Sequence, residues 1–175
     1  MAASSNDCSL VLGGVRSGKS RYAENRARSR RGNLNYVATA EAHDAEMAER
    51  IGRHKLERGN LWTTHEVPRD LVGCLYNLDA DREAIVLVDC LTLWLTNLIL
   101  ADCDVGREGD RLADFILGSK QPLFIVSNEV GLGIVPENAL ARRFRDEAGI
   151  LNQKVAAAAS SVVFMAAGLP MVLKG

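Results

Sequence analysis

The chain carries no basic excess: 21 Lys and Arg stand against 22 Asp and Glu, a formal net charge of −1 over 175 residues. Without a positive field, polynucleotide binding loses its usual electrostatic basis, so nucleic acid is not an expected partner. Paired cysteines are also missing. Cys8, Cys74, Cys90 and Cys103 show no C-x-x-C spacing, which argues against the common zinc and redox patterns. Cys90 sits inside an apolar run and reads as a buried free thiol. The opening Met-Ala-Ala-Ser-Ser-Asn-Asp-Cys has neither a basic nor an apolar stretch, so residues 1–8 are expected as a flexible tail. The longest apolar stretch, around Ala84 to Val88, is far shorter than the roughly 20 residues a membrane span needs. These absences point to a reducing, cytoplasmic compartment. Internal repeats, low-complexity tracts and linkers are lacking too, so residues 9–175 are expected as one domain.

What is present is ordinary for a globular chain, with 47% hydrophobic residues, and it alternates in a telling way. Short apolar runs at Ser9–Leu12, Leu34–Val37, Ala84–Val88, Pro122–Val126 and Val162–Ala166 predict strands. Helical stretches are expected near 18–30, 44–57, 91–101, 110–118 and 137–159, with a surface turn at Gly106–Asp110. Strands that are continuously apolar rather than alternating belong in a sheet covered on both faces. The expected fold class is α/β, with a mainly parallel central sheet flanked by helices.

The first strand runs into Gly13-Gly14-Val15-Arg16-Ser17-Gly18-Lys19-Ser20, which fits G-x-x-x-x-G-K-[ST] at every fixed position. Glycines let successive backbone N–H groups curl around phosphate oxygens. Lys19 would reach the β- and γ-phosphates, the Ser20 hydroxyl would ligate Mg²⁺, and the helix that follows adds its positive end. A strand before and a helix after are the context this motif requires. Asp89 ends the apolar strand Ala84–Val88 as in a Walker B element, where it can hold Mg²⁺ directly or through water. Thr92 and Thr96 share a helix face and read as capping or packing hydroxyls.

Three histidines exist, and one sits at an informative place. Asp44 is a plausible N-cap for a helix on which Met47, Ile51 and His54 share a face, with Lys55 and Arg58 close by. Two roles are open for His54 on these residues alone. It is a core-edge imidazole bonded to backbone, or a nucleophile for the α-phosphate of a nucleotide. His43 and His65 read as loop residues. Asn128-Glu129 follows the fourth strand at its carboxyl end, where open α/β sheets place their ligand crevice. The pair either orients substrate or metal, or caps a turn.

Seven segments together resemble one family. They are residues 13–21, 36–40, 46–55, 62–66 (Trp-Thr-Thr-His-Glu), 88–97 (Val-Asp-Cys-Leu-Thr-Leu-Trp-Leu-Thr-Asn), 127–136 (Ser-Asn-Glu-Val-Gly-Leu-Gly-Ile-Val-Pro) and 143–153. In order and spacing the chain resembles the bifunctional adenosylcobinamide kinases/adenosylcobinamide-phosphate guanylyltransferases of cobalamin biosynthesis. The resemblance implies phosphorylation of adenosylcobinamide by a nucleoside triphosphate, ATP or GTP. It further implies guanylylation of a histidine by GTP and passage of GMP to adenosylcobinamide phosphate. Mg²⁺ dependence and a homotrimer are also implied. By the same resemblance Gly13 to Ser20 cradle the triphosphate and Lys19 assists catalysis. Ala38, Thr39, Ala40, Lys55, Leu56, Glu57, Arg58 and Glu66 surround the guanine nucleotide. Ser20 and Asp89 serve the metal. Some relatives carry two adjacent histidines at the positions of 53 and 54. Here Arg53 precedes His54, and the guanylylated position falls on His54. Two readings compete with this one: a monofunctional P-loop kinase of a small alcohol, and a nucleotide-gated binding module.

Overall fold

Apolar runs that bury both faces must lie side by side in a sheet, and here they do. A computed structural model describes residues 6–41, 49, 52 and 59–175. Seven strands form one sheet: β1 (Cys8–Gly13), β2 (Asn33–Ala38), β3 (Thr63–Glu66), β4 (Ala84–Asp89), β5 (Leu123–Asn128), β6 (Ser161–Ala166) and β7 (Leu169–Lys174). Their order is β3-β2-β4-β5-β1-β6-β7. Every neighbouring pair is parallel except β6 and β7. Among the described residues five helices flank the sheet: α1 (Lys19–Arg28), α2 (Leu71–Leu78), α3 (Leu91–Leu100), α4 (Val105–Gly118) and α5 (Ala139–Ala158). The expected α/β class with a mainly parallel sheet is what the chain adopts.

One face of the sheet is covered by α1, whose Ala23 and Ala27 are wholly buried against Ile85, Leu87, Phe124 and Val126. Small side chains on the helix let its backbone approach the strands closely. The other face packs against Trp94, Leu95, Leu112, Phe115 and Leu151 from α3, α4 and α5. Helix α3, Leu-Thr-Leu-Trp-Leu-Thr-Asn-Leu-Ile-Leu, is apolar nearly all round and is correspondingly sunk in the core. Its polar atoms are paired: Trp94 Nε1 donates to Arg69 O at 2.7 Å, and Asn97 Nδ2 donates to Thr39 O and Pro68 O.

The structure departs from the sequence reading at its polar margins. The stretch read as a turn at Gly106–Asp110 is the beginning of α4, because the Asp104 side chain accepts from Arg107 N and caps the helix ahead of its glycines. Helix α2 opens in the same way on Asp70, which accepts from Gly73 N. Strand β3 is an exposed edge with no apolar pattern, and it includes His65, read above as a loop residue. His65 Nε2 lies 3.0 Å from Asn35 Oδ1 of the neighbouring strand. Strand β7 returns from β6 through Ala167 and Gly168, both at positive φ (51° and 81°), as a tight hairpin requires. All six β7 residues are exposed. At the other end of the chain, Asn6 Nδ2 donates to Ala158 O and Cys8 opens β1, so the segment read as a tail joins the folded body by residue 6. Residues 1–5 and the helix expected near 44–57, Glu49 and Gly52 apart, lie outside the described residues.

Phe124, 1% exposed on the strand between β1 and β4, should carry much of the sheet–α1 packing. Phe124→Ala is expected to lower unfolding stability by about 3–5 kcal/mol. Urea denaturation would show it as a lower midpoint with an unchanged slope.

Candidate active site

The parallel registers bring the carboxyl ends of six strands to one edge. Gly13 of β1 lies beside Asn128 of β5 and Met165 of β6. Asp89 of β4 lies beside Ala38 of β2 and Val126 of β5, and Ala38 lies beside Glu66 of β3. The chain leaves β1 into the glycine-rich loop at this edge. A side chain at Gly13 would meet Met165 O at 2.5 Å and Ser17 Oγ at 2.8 Å, so only glycine lets the loop press against β6. Gly18, at φ 94°, turns the chain into α1. The loop is held from within by Ser17 N donating to Gly14 O, and from outside by Gly168 N of the β6–β7 turn donating to Ser17 O at 3.0 Å. Ser17 Oγ is buried with no partner among the described residues. A buried hydroxyl left unpaired beside a helix N-terminus suits a ligand rich in acceptor oxygens.

Lys19 lies across this loop, 7% exposed, with Nζ donating to Gly14 O. Burial strips water from the ammonium and pulls its pKa below the ordinary lysine value, while Cys90 and Asp89 oppose the shift. The cation stands where an anionic phosphate would replace the lost hydration.

Opposite the loop, the Tyr36 hydroxyl donates to Asp89 Oδ2 at 2.9 Å and fixes the carboxylate's direction. The Tyr36 ring is in turn held edge-on by Trp62, centroids 5.7 Å apart. Thr39 is fully buried: its hydroxyl accepts from Cys90 N and donates to Cys90 O, tying the end of β2 to the start of α3. The buried Cys90 thiol, 3.0 Å from Thr92 Oγ1, has its pKa pushed up to about 11 by burial first and by Asp89 second, so it is a neutral thiol. Asn128 Nδ2 donates to Thr92 Oγ1 at 2.6 Å.

Together these groups enclose a cleft of about 880 Å³. Of the residues singled out from sequence, Val15, Arg16, Ser17, Gly18, Lys19, Ser20, Ala38, Ala40 and Asp89 line it, as do Asn128 and Glu129. Gly13, Gly14 and Thr39 are not among the lining residues, and Glu66 stands exposed at the end of the edge strand. His54 and Lys55 to Arg58 lie outside the described residues. Tyr36, Cys90, Leu93 and Arg21 also face the cleft. For Tyr36 a signal was available, since it precedes Ala38 by two and so shares its face of the strand. Among the described residues no three His, Cys, Asp or Glu side chains gather as a metal cluster, and no helix is long and apolar enough to cross a membrane.

Comparison with known proteins decides the family. Residues 9–173 match the model of the cobinamide kinase / cobinamide phosphate guanyltransferase family. The chain belongs to that family. It is 47% identical over 168 residues to the bifunctional adenosylcobalamin biosynthesis protein CobP of Pseudomonas aeruginosa, covering 95% of this chain and 96% of the relative. To the bifunctional adenosylcobalamin biosynthesis protein CobU of Salmonella typhimurium it is 40% identical over 183 residues, covering 94% and 98%. Solved structures share the fold at much lower identity. The P4 protein from bacteriophage phi6 in complex with ADP aligns with a TM-score of 0.51 and 16% identity, over 94% of this chain and 54% of that one. A Pyrococcus horikoshii OT3 protein aligns with a TM-score of 0.60 and 8% identity, over 97% and 86%. The motifs and the whole-chain matches thus name the same kinase/guanyltransferase family, and a P-loop fold in such a family implies nucleotide substrates.

Because a Cβ at Gly13 collides with backbone of β6, Gly13→Ala must displace the loop or the strand. Titration with a fluorescent nucleotide should show affinity reduced by about tenfold or more, which is ~1.4 kcal/mol. Wild-type affinity in this variant would mean that the loop tolerates the shift.

Proposed function

We propose that this chain is a bifunctional enzyme that phosphorylates adenosylcobinamide with ATP or GTP and then converts adenosylcobinamide phosphate to adenosylcobinamide-GDP. The observation that carries the reading is the convergence of the phosphate loop, Lys19 and the oriented Asp89 on one cleft, in a chain matched along nearly its full length by the family. In the kinase half-reaction the acceptor hydroxyl oxygen forms a bond to Pγ. The bond from Pγ to the β,γ-bridging oxygen breaks, and its electron pair stays on the departing diphosphate. Lys19 and the loop's peptide N–H groups hold charge that builds on the phosphate oxygens. In the guanylyl half-reaction a ring nitrogen of His54 forms a bond to Pα of GTP and pyrophosphate leaves. The phosphate of adenosylcobinamide phosphate then displaces His54 and takes the GMP. Two displacements let one site serve two bulky acceptors in turn.

Ser20 and Asp89 face the same cleft and offer a hydroxyl and a carboxylate oxygen. Two hard oxygen donors with room for water and phosphate suit Mg²⁺, which keeps much of its own hydration. Held there, the ion would offset negative charge on the phosphate oxygens. Ala38, Ala40, Lys55 to Arg58 and Glu66 are assigned to the guanine nucleotide, in keeping with the family motifs they occupy. Thr39 supports that wall from behind through Cys90. A cytoplasmic homotrimer fits the family resemblance and the exposed apolar residues of β7, Leu169, Met171, Val172 and Leu173.

Purified protein incubated with Mg²⁺ and α-³²P-GTP should retain acid-labile, alkali-stable label after denaturation. The label should vanish in His54→Ala and on chelation of the metal with EDTA. Folded wild type that binds GTP yet takes no label would leave a plain kinase as the better description.

A further inference from the structure

Two polar side chains that line the cleft, Asn128 and Cys90, and the buried Thr92 beneath them are used by neither half-reaction above. Asn128 Nδ2 donates to Thr92 Oγ1 at 2.6 Å and approaches Cys90 Sγ at 3.9 Å, and Thr92 Oγ1 lies 3.0 Å from that sulfur. Their backbone is pinned as firmly: Asn152 Nδ2 donates to Asn128 O, and Glu129 N donates to Gly13 O at the root of the phosphate loop. Strand β5 lies between β1 and β4, so Asn128 is inserted between the loop and the strand ending in Asp89.

The chemistry of the amide then restricts its partner. Its N–H₂ group, the only donor, is engaged by Thr92 and Cys90. Its oxygen accepts no hydrogen bond among the described residues, while the side chain lines the cleft. A triphosphate presents oxygens without protons, and two such acceptors facing each other repel. A hydroxyl, by contrast, brings the donor that the amide oxygen lacks.

We propose that Asn128 Oδ1 receives the acceptor hydroxyl of the kinase half-reaction and aims its oxygen at the γ-phosphate. Thr92 and Cys90 are positioning residues that hold the amide in the one orientation presenting its oxygen. The hydroxyl keeps its proton on Oδ1 while its lone pair forms the bond to Pγ and the diphosphate leaves, and the proton passes to water once that bond is made. The guanylyl half-reaction has an imidazole as its first nucleophile and needs no hydroxyl guide. The assignment rests on the bifunctional reading.

The test measures two rates on each protein: phosphate transfer to adenosylcobinamide, and labelling of the chain by α-³²P-GTP. In Asn128→Ala the ratio of the first to the second should fall by about tenfold or more, through kcat rather than the nucleotide KM, as expected when a reacting group loses its orientation. Thr92→Val should lower the ratio less, and Thr92→Ser should restore it. A proportional loss of both rates in Asn128→Ala would mean that the amide serves the triphosphate, its metal or the fold, and would overturn the assignment. So would a ratio that does not move. Wild type that performs neither transfer overturns the bifunctional reading and the assignment with it.

Discussion

Hydrogen bonds between β5 and its two neighbours hold Gly13 opposite Asn128 and Asp89 opposite Val126, and nearly everything at the site depends on that register. Side chains alternate along a strand with a period of two. A slip of one residue would therefore turn Asp89 toward the opposite face and separate it from the Tyr36 hydroxyl. The register is secured by burial on both sides: Leu10, Val86, Ile125 and their neighbours face one set of helices, and Val11, Leu87 and Phe124 face α1. Apolar packing specifies which residues are adjacent, and the polar chemistry occupies the strand ends where that packing stops.

Keeping charged and polar groups at such an edge requires partners for each. Lys19 has a carbonyl and Asp89 a phenol, while the Thr39 hydroxyl donates to and accepts from the backbone of Cys90. Ser17 Oγ is the buried atom left open in the loop. A site whose side chains are already oriented loses little conformational freedom when a ligand arrives. The lysine is the exception in energy though not in position, because burial opposes its charge until a phosphate compensates for the missing water.

The parts legible in the sequence were those that depend on neighbours in the chain. The phosphate loop is eight consecutive residues, and the five predicted strands are short, mostly apolar runs, so each could be read in place. The parts that escaped depend on residues far away or on a single cap. Strand β3 has no inward-facing apolar set, and only its pairing with β2 makes Thr63–Glu66 extended. The start of α4 turns on the Asp104 carboxylate, which outweighs the low helix propensity of Gly106 and Gly109. The face of Tyr36 follows from its place two before Ala38, but its bond to Asp89 exists only because β2 and β4 are adjacent, a pairing of residues over fifty positions apart that no local pattern announces. Thr92 was read as a packing hydroxyl, and its place beneath the cleft with Asn128 again comes from strand order.

The hydrogen bond from Gly168 N to Ser17 O also sets a timetable. Strand β1 is made first, yet its two partners in the sheet are β5 and β6, and the turn that braces its loop comes after both. Such pairings have a large loop-closure entropy to overcome before they are rewarded. During synthesis, residues 13–20 therefore emerge as a glycine-rich tether without a phosphate site. The site takes shape only after β5, β6 and the turn at Gly168 have been made, so its assembly waits on residues about 150 positions beyond the loop that binds the phosphate.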